Sequence, residues 1–346
     1  MMMIERKEVT IYDIAAQLKI SPATVSRGLR DHPAISKKTK KKILDCSKRL
    51  GYRYNAFASN LRRRKSNTIG VIVPRLNSSF MSDIIAGIEK VTSESGYNTI
   101  ISQSLEAEKK EIINATTMYN NMVDGLLISL AYDSKSTDHF KPFIEKNIPV
   151  IFFDRVRSLN QCSTIIIDNF KAAYDITTHL IKSGSRRIMH IGGNLLCNVY
   201  NDRFNGYKKS LDDNHLAFSP EYLIINNLGS GDGIDAAHTI LKMPVIPDAV
   251  FVANDNCAAN CMIELKKNGI CIPEEISFAG FNNDSISGIV EPNLTTVDYQ
   301  GFEMGEIAAK TLIAHLNQTQ DATRTETIVL RHKLIIRESS MKSVPV

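Results

Sequence analysis

From Ile69 onward, nine short apolar runs alternate with amphipathic helical stretches, and no other feature constrains the fold as tightly. The apolar runs lie near 69–73, 98–103, 125–130, 149–153, 164–168, 187–192, 222–226, 249–253 and 276–281. Helical periodicity fills most of the gaps, at 80–95, 108–122, 170–183, 201–214, 233–242, 256–268 and 301–317. Strand and helix in alternation give parallel sheets covered on both faces. Nine or more strands are too many for one small doubly wound sheet, so two similar lobes are expected. Ligands of open parallel sheets bind beyond the carboxyl ends of the strands. That rule alone nominates Ser129, Asp154, Asn254, Asp255, Asn282 and Asn283, each a polar residue closing an apolar run.

Charge separates this body from what precedes it. The whole chain of 346 residues carries a formal +5. Residues 1–66 hold 17 Lys and Arg against 5 Asp and Glu, a balance of +12, and the rest hold 25 against 32, a balance of −7. A basic head on an acidic body points to a polyanionic partner for the head. No apolar run approaches the 18 or so residues that span a bilayer, so no membrane partner is expected. The charged start MMMIERKEVTIYD lacks the apolar segment of a signal peptide, and the expected location is the cytoplasm. Six cysteines include no C-x-x-C pair. Cys257 and Cys261 fall one helical turn apart, which is half a metal site at most. Buried apolar thiols are the reading taken, with no metal and no cofactor.

Within the head, residues 10–27 read TIYDIAAQLKISPATVSR. Thr10 followed by Asp13 has the form of a capping box. Ile11, Ile14, Ala15 and Leu18 then recur at helical spacing. Ser21 before Pro22 starts a second helix after a short break. Two short helices so joined make a helix-turn-helix, whose second helix enters the DNA major groove. A third helix runs from its cap Ser36 to Gly51, with Lys37, Lys38, Lys40, Lys41 and Lys42 crowding its start, where they oppose the helix dipole. Phosphate contact explains that placement better than stability does. Asn55 opens a further short helix-like stretch ending in the run Arg62–Lys65. Leu61 beside those arginines reads either as a minor-groove wedge or as part of a plain linker with a polybasic tail.

These residues closely resemble the LacI family of bacterial transcription regulators. The likeness continues through GYRYNAFASNLRRRKSNTIGVIVP, FFDR at 152–155, HLIKSGSRRI at 179–188, DRFNGY at 202–207, VANDNCA at 252–258, ISFAGFNN at 276–283 and PNLTTVDY at 292–299. It implies a small all-α helix-turn-helix domain over 1–54 and a hinge helix and linker over 55–68. A two-lobed periplasmic-binding-protein-like α/β body follows over 69–346. The lobes are expected at 69–166 with 296–324, and at 167–295 with 325–338, the chain crossing near 167, 295 and 325. A homodimer would bind a pseudopalindromic operator through Thr10, Tyr12, Ser21, Pro22, Ala23, Thr24, Arg27, Asn55, Ala58, Leu61 and Arg62. Arg27 suits guanine O6/N7, and the Ala23 methyl suits a thymine methyl. Phe80, Ser129, Asp154, Arg203, Asn254 and Asn282 would line the effector cleft. One buried guanidinium at Arg203 can fork two hydroxyls or a carboxylate; the alternative is a surface ion pair with Asp202. Phe80 is either a core aromatic or an apolar platform.

Two departures bear on the effector. The family usually has Asp at the position of Asn282, and an Asn-Pro-Phe pattern where this chain has Ser78-Ser79-Phe80. A carbohydrate-type effector is expected, with a purine or a sugar phosphate as the alternative. The turn Gly229-Ser-Gly231-Asp-Gly233 fails the dinucleotide fingerprint at Ile234. Asp154 and Asp168 do not form a convincing acid/base pair, so no enzyme activity is expected. The last segment, ESSMKSVPV, has no leucine heptads, which favours a dimer over a tetramer.

Overall fold

The computed structural model describes residues 9–52, 65–157, 162–317 and 325–342. The chain divides into two compact units, Met1–Ser66 and Asn67–Val346.

Three helices make the described part of the first unit: α1 (Ile11–Leu18), α2 (Pro22–Leu29) and α3 (Lys37–Leu50). Each start is fixed by a short polar side chain. The Thr10 backbone N–H donates to the Asp13 carboxylate at 2.7 Å. The Ser21 hydroxyl accepts from the Thr24 amide at 3.1 Å, and that of Ser36 from the Thr39 amide at 3.2 Å. Such caps are worth about 1 kcal/mol each. Gly51, at φ +69°, ends α3 in the left-handed conformation that glycine adopts without strain. Ile14, Ala15, Val25, Ile43 and Cys46 are buried together as the core.

The second unit holds two parallel sheets. The first runs in the order β11-β5-β4-β3-β1-β2, from β1 (Thr68–Val73), β2 (Asn98–Gln103), β3 (Gly125–Ile128), β4 (Val150–Phe153), β5 (Ser163–Ile167) and β11 (Thr327–Leu330). The second runs β7-β6-β8-β9, from β6 (Ile188–Gly192), β7 (Leu223–Ile225), β8 (Ala249–Val252) and β9 (Ser277–Ala279). The central strands of both sheets are buried along most of their length, as continuous apolar runs such as Val150-Ile-Phe-Phe153 require, while the edge strands β2, β7 and β11 stay partly exposed. Helices α4 (Ser79–Glu94), α5 (Glu108–Asn120) and α11 (Gly301–Leu316) accompany the first sheet, with the short α6 (Lys141–Glu145). Helices α7 (Asn169–Lys182), α8 (Asn198–Asp213), α9 (Ser230–Leu241) and α10 (Asp255–Lys267) accompany the second.

The chain crosses between lobes three times. The first crossing follows β5, and the second runs through β10 (Thr296–Asp298) into α11. The third differs from expectation. The sequence places residues 327–330 in the second lobe, but β11 pairs in parallel with β5, Thr327 opposite Thr164. The crossing therefore falls after Leu330, where β12 (Lys333–Ile335) pairs antiparallel with β10. The alternating sequence TIVL reads as a half-exposed edge strand for either sheet, and only the pairing partner decides which.

Glycines let α4 and α11 meet backbone to backbone. A Cβ on Gly87 would lie 2.1 Å from the Phe302 carbonyl oxygen, and one on Gly305 would lie 2.0 Å from that of Ile84. Main chain cannot yield as a flexible side chain can. Gly305→Val should therefore lower the unfolding free energy by roughly 3 kcal/mol or more. Gly231→Ala, in the first turn of α9 where an added Cβ meets nothing, should leave it unchanged or raise it by about 0.5 kcal/mol. Urea titrations followed by circular dichroism compare the two.

Candidate functional site

A cavity of about 590 Å³ opens where the strands of both sheets end, within the ~300–1,000 Å³ usual for small-molecule sites. Phe80, Asp154, Arg203, Asn254 and Asn282 line it. Ser129 does not. Its amide still continues the sheet, donating to the Ile72 carbonyl at 3.0 Å, and the fully buried side chain reaches only toward the Asp154 carboxyl at 3.5 Å. Asp255 and Asn283, also nominated as strand-end residues, bond elsewhere. The Asp255 carboxylate accepts from the Thr296 hydroxyl at 2.7 Å and the Asp284 amide at 2.8 Å. Asn283 Oδ1 accepts from Arg337 Nη2 at 2.8 Å.

Arg203, on α8, is 3% exposed and makes no ion pair with Asp202. Its Nε donates to Asn169 Oδ1 at 2.9 Å, Nη1 to the Ala253 carbonyl at 2.9 Å, and Nη2 to the Tyr299 hydroxyl at 3.3 Å. The guanidinium lies 3.6 Å from the centroid of the Phe281 ring. The Tyr299 hydroxyl in turn donates a hydrogen bond to Asn282 Oδ1 at 3.1 Å, and its ring packs 4.5 Å from that of Phe80. Phe80, only 7% exposed, is thus both part of the core and a wall of the cleft. Asn254 caps α10, accepting from the Cys257 amide at 3.1 Å.

Beside Arg203, burial pushes the Asp154 carboxyl above its ordinary range, against the pull of Arg155 and Arg203. Asp154, Leu228 and Asn282 hold φ of +56°, +57° and +110°, left-handed geometry that non-glycine residues adopt at a cost and that clusters at ligand sites. Sequence reasoning missed several lining residues, among them Arg75, Glu106, Arg155, Tyr200 and Tyr299. Arg155 donates from Nη1 to Glu106 Oε2 at 2.6 Å and from Nη2 to the Tyr200 hydroxyl at 3.1 Å. Arg75 lies 3.6 Å from the same Glu106. The neighbouring motifs FFDR and TTVDY contain Arg155 and Tyr299, and their position just past strand ends was the available signal.

On the first unit, Tyr12 is 64% exposed, and Ser21, Ala23 and Arg27 are also exposed. Pro22 and Thr24 are half-buried. The hydroxyls of Thr10, Ser21 and Thr24 serve the helix starts: Thr10 donates to Asp13 at 2.7 Å, and Ser21 and Thr24 lie 2.9 Å apart. Lys40 is held by Asp31 at 2.6 Å, whereas Lys37, Lys38, Lys41 and Lys42 are exposed. Asn55, Ala58, Leu61 and Arg62 lie outside the described residues.

Residues 10–55 match the family model described as bacterial regulatory proteins, lacI family, and residues 177–340 match a periplasmic binding protein-like domain. The chain is 30% identical to catabolite control protein A of Priestia megaterium over 96% of this chain and 99% of that protein. It superposes on the lac repressor dimer bound to operator and the anti-inducer ONPF with a TM-score of 0.82 at 23% identity, covering 97% of this chain and 100% of that one. A CelR–cellobiose complex superposes with a TM-score of 0.71 at 23% identity, over 96% and 100% of the two chains.

An aromatic layer lies near the Arg203 guanidinium and gives a pH signature. His190 is fully buried, stacks on Tyr207 and Phe251 at 5.2 and 4.7 Å, and shares Nδ1 with the Phe251 carbonyl at 3.1 Å. Burial lowers its pKa to about 3. In the folded chain the ring stays neutral, while the unfolded chain takes up a proton below about pH 6.5. The stability it contributes is complete above that pH and is lost as pH falls toward 3. The acid limb of the stability curve should steepen by about 1.4 kcal/mol per pH unit from this group. His190→Leu should remove that share of the slope, read from unfolding titrations between pH 4 and 7.

Proposed function

Because the chain belongs to the LacI family of bacterial regulatory proteins, and is thus a DNA-binding transcription regulator, we propose that it represses by binding a pseudopalindromic operator as a homodimer. A carbohydrate-type effector in the cleft of the second unit modulates that binding. The observation that carries the reading is the cleft itself: about 590 Å³, walled by strand-end polar groups around one buried guanidinium, with aromatic rings beside it. Amides, hydroxyls and a guanidinium over an aromatic floor suit a polyhydroxylated ring. The cellobiose held by CelR supports the class. A purine remains the alternative, since Phe80 and Tyr299 present ring faces close together. The cleft binds without turnover, in keeping with relatives that are regulators, and the protein acts in the cytoplasm where its operator lies.

The reader is the first unit. Exposed Ala23 and Arg27 sit on α2, a cap and a proline fix that helix at its start, and four exposed lysines stand at the start of α3. Thr10, Tyr12, Ser21, Pro22 and Thr24 flank the same surface, and the hinge positions Asn55, Ala58, Leu61 and Arg62 complete the proposed DNA-facing set. In the second unit, Phe80, Asp154, Arg203, Asn254 and Asn282 contact the effector, and Ser129 acts only through Asp154. Effector binding alters how the lobes close, and the crossing strands carry the change toward Asn67, where the second unit begins. The coupling is expected at about 1–3 kcal/mol.

A truncated chain starting at Asn67 should lose operator binding and keep effector binding. Arg27→Ala in the full chain should cost about 1–3 kcal/mol and relax preference at one base pair of each half-site. Affinity should fall with salt, by about 0.9 in log K per log salt for each phosphate neutralised. Selection from a randomised DNA library followed by binding titrations checks all three. An asymmetric consensus, or operator binding by the truncated chain, contradicts the reading.

A further inference from the structure

We infer that the effector of this cleft is an anion, a sugar-sized molecule whose carboxylate or phosphate docks on Arg203. The inference rests on the cleft being a sugar-type effector site and narrows the class of sugar.

Its first support is a count of charges that can meet. Arg75, Arg155 and Arg203 all line the cleft. Glu106 answers two of them, at 2.6 Å from Arg155 and 3.6 Å from Arg75. Among the described residues no carboxylate lies within ion-pair distance of Arg203. Its three bonds go to an amide oxygen, a main-chain carbonyl and a phenol. None of these carries a charge. A guanidinium has five N–H donors, so two remain. Burying a cation with neutral acceptors alone is unfavourable, and an incoming anion would relieve that.

No nearby carboxyl pairs with Arg203. The Asp154 carboxyl lies beyond ion-pair distance of it, and burial raises that carboxyl against the pull of Arg155 and Arg203. Asp284 takes hydrogen bonds from Asn282 and from the Phe80 backbone, and burial raises it as well. Asp232 is turned into the start of α9, accepting the Gly229 amide at 2.8 Å. Asn282, at the centre of the cleft's polar wall, is neutral and already bonded to Tyr299.

Helix polarity adds to the same field. The first turns of α4 and α8 reach the cleft through Phe80, Met81, Val199 and Tyr200, and neither turn contains an acidic residue. The amino end of a helix carries a partial positive charge and free amides, which favour anions. The side-chain NH2 of Asn254, whose Oδ1 caps α10, faces the same cleft and suits a hydroxyl on the rest of the ligand.

Calorimetry on the full chain tests this with matched pairs: glucose against glucuronate and glucose 6-phosphate, ribose against ribose 5-phosphate, inorganic phosphate alone, and adenosine. At least one acid should bind 10-fold or more tighter than its neutral parent, and the advantage should shrink as salt rises. The carboxylate and phosphate arms identify the acid group. Arg203→Met should erase the preference, which also separates the cleft from phosphate binding on the basic head. Asn282→Asp, a near-isosteric change that places a carboxylate in the cleft, should weaken acid binding at least 10-fold, and by more than it changes binding of the matched neutral sugar. Neutral sugars binding as tightly as their acids overturn the inference and leave the sugar reading standing. Binding by adenosine alone overturns both. No binding by any acid, or acid binding untouched by Asn282→Asp, likewise overturns the inference.

Discussion

A guanidinium buried among neutral acceptors is the interaction around which the second unit is arranged. Arg203 reaches the start of α7 through Asn169, the end of β8 through Ala253, and the segment after the crossing strand β10 through Tyr299. Those three places belong to different parts of the chain, and Tyr299 carries the contact on to Phe80 at the start of α4. Removing the side chain would leave buried oxygens without donors, at about 1–3 kcal/mol each. The same group that holds the walls in place also faces the space between them. Cleft shape and cleft chemistry are therefore coupled, and a ligand that engages Arg203 acts on the joint between the lobes.

The two units divide the electrostatic work. The first keeps Lys37, Lys38, Lys41 and Lys42 exposed at the start of α3, in an orientation the helix dipole disfavours, and pairs Lys40 with Asp31. A cost of this kind persists where phosphate relieves it. The second unit carries the acidic excess and lines its cleft with Arg155 and Arg203, enclosed where a small molecule fits and a polyanion does not. A single net charge of +5 conceals that division.

How much was legible depended on the range of the interaction. Local signals read well: Ser21 before Pro22, Ser36 three residues before Thr39, and Gly51 after the last apolar position each mark a helix end that the structure places within a residue. Apolar runs read well for the same reason, because period and length suffice to identify a buried strand. The membership of β11 did not, since its four residues fit the edge of either sheet and the decision lies in pairing with β5. The strand-end rule nominated Ser129, the residue directly after β3, but its amide still bonds to Ile72 and its side chain meets Asp154 and not the cavity. Arg155, Arg75, Glu106 and Tyr200 form one network from four separated segments, and no spacing along the chain encodes it.

The central claim is that one chain links a DNA reader to a small-molecule cleft. Linkage demands reciprocity: the factor by which the effector changes operator affinity must equal the factor by which operator changes effector affinity. Measuring both titrations on the same preparation, with and without the other ligand at saturation, tests this directly. The account predicts equal factors of about 5- to 150-fold, of either sign. An effector that fills the cleft while leaving operator affinity unchanged would contradict it.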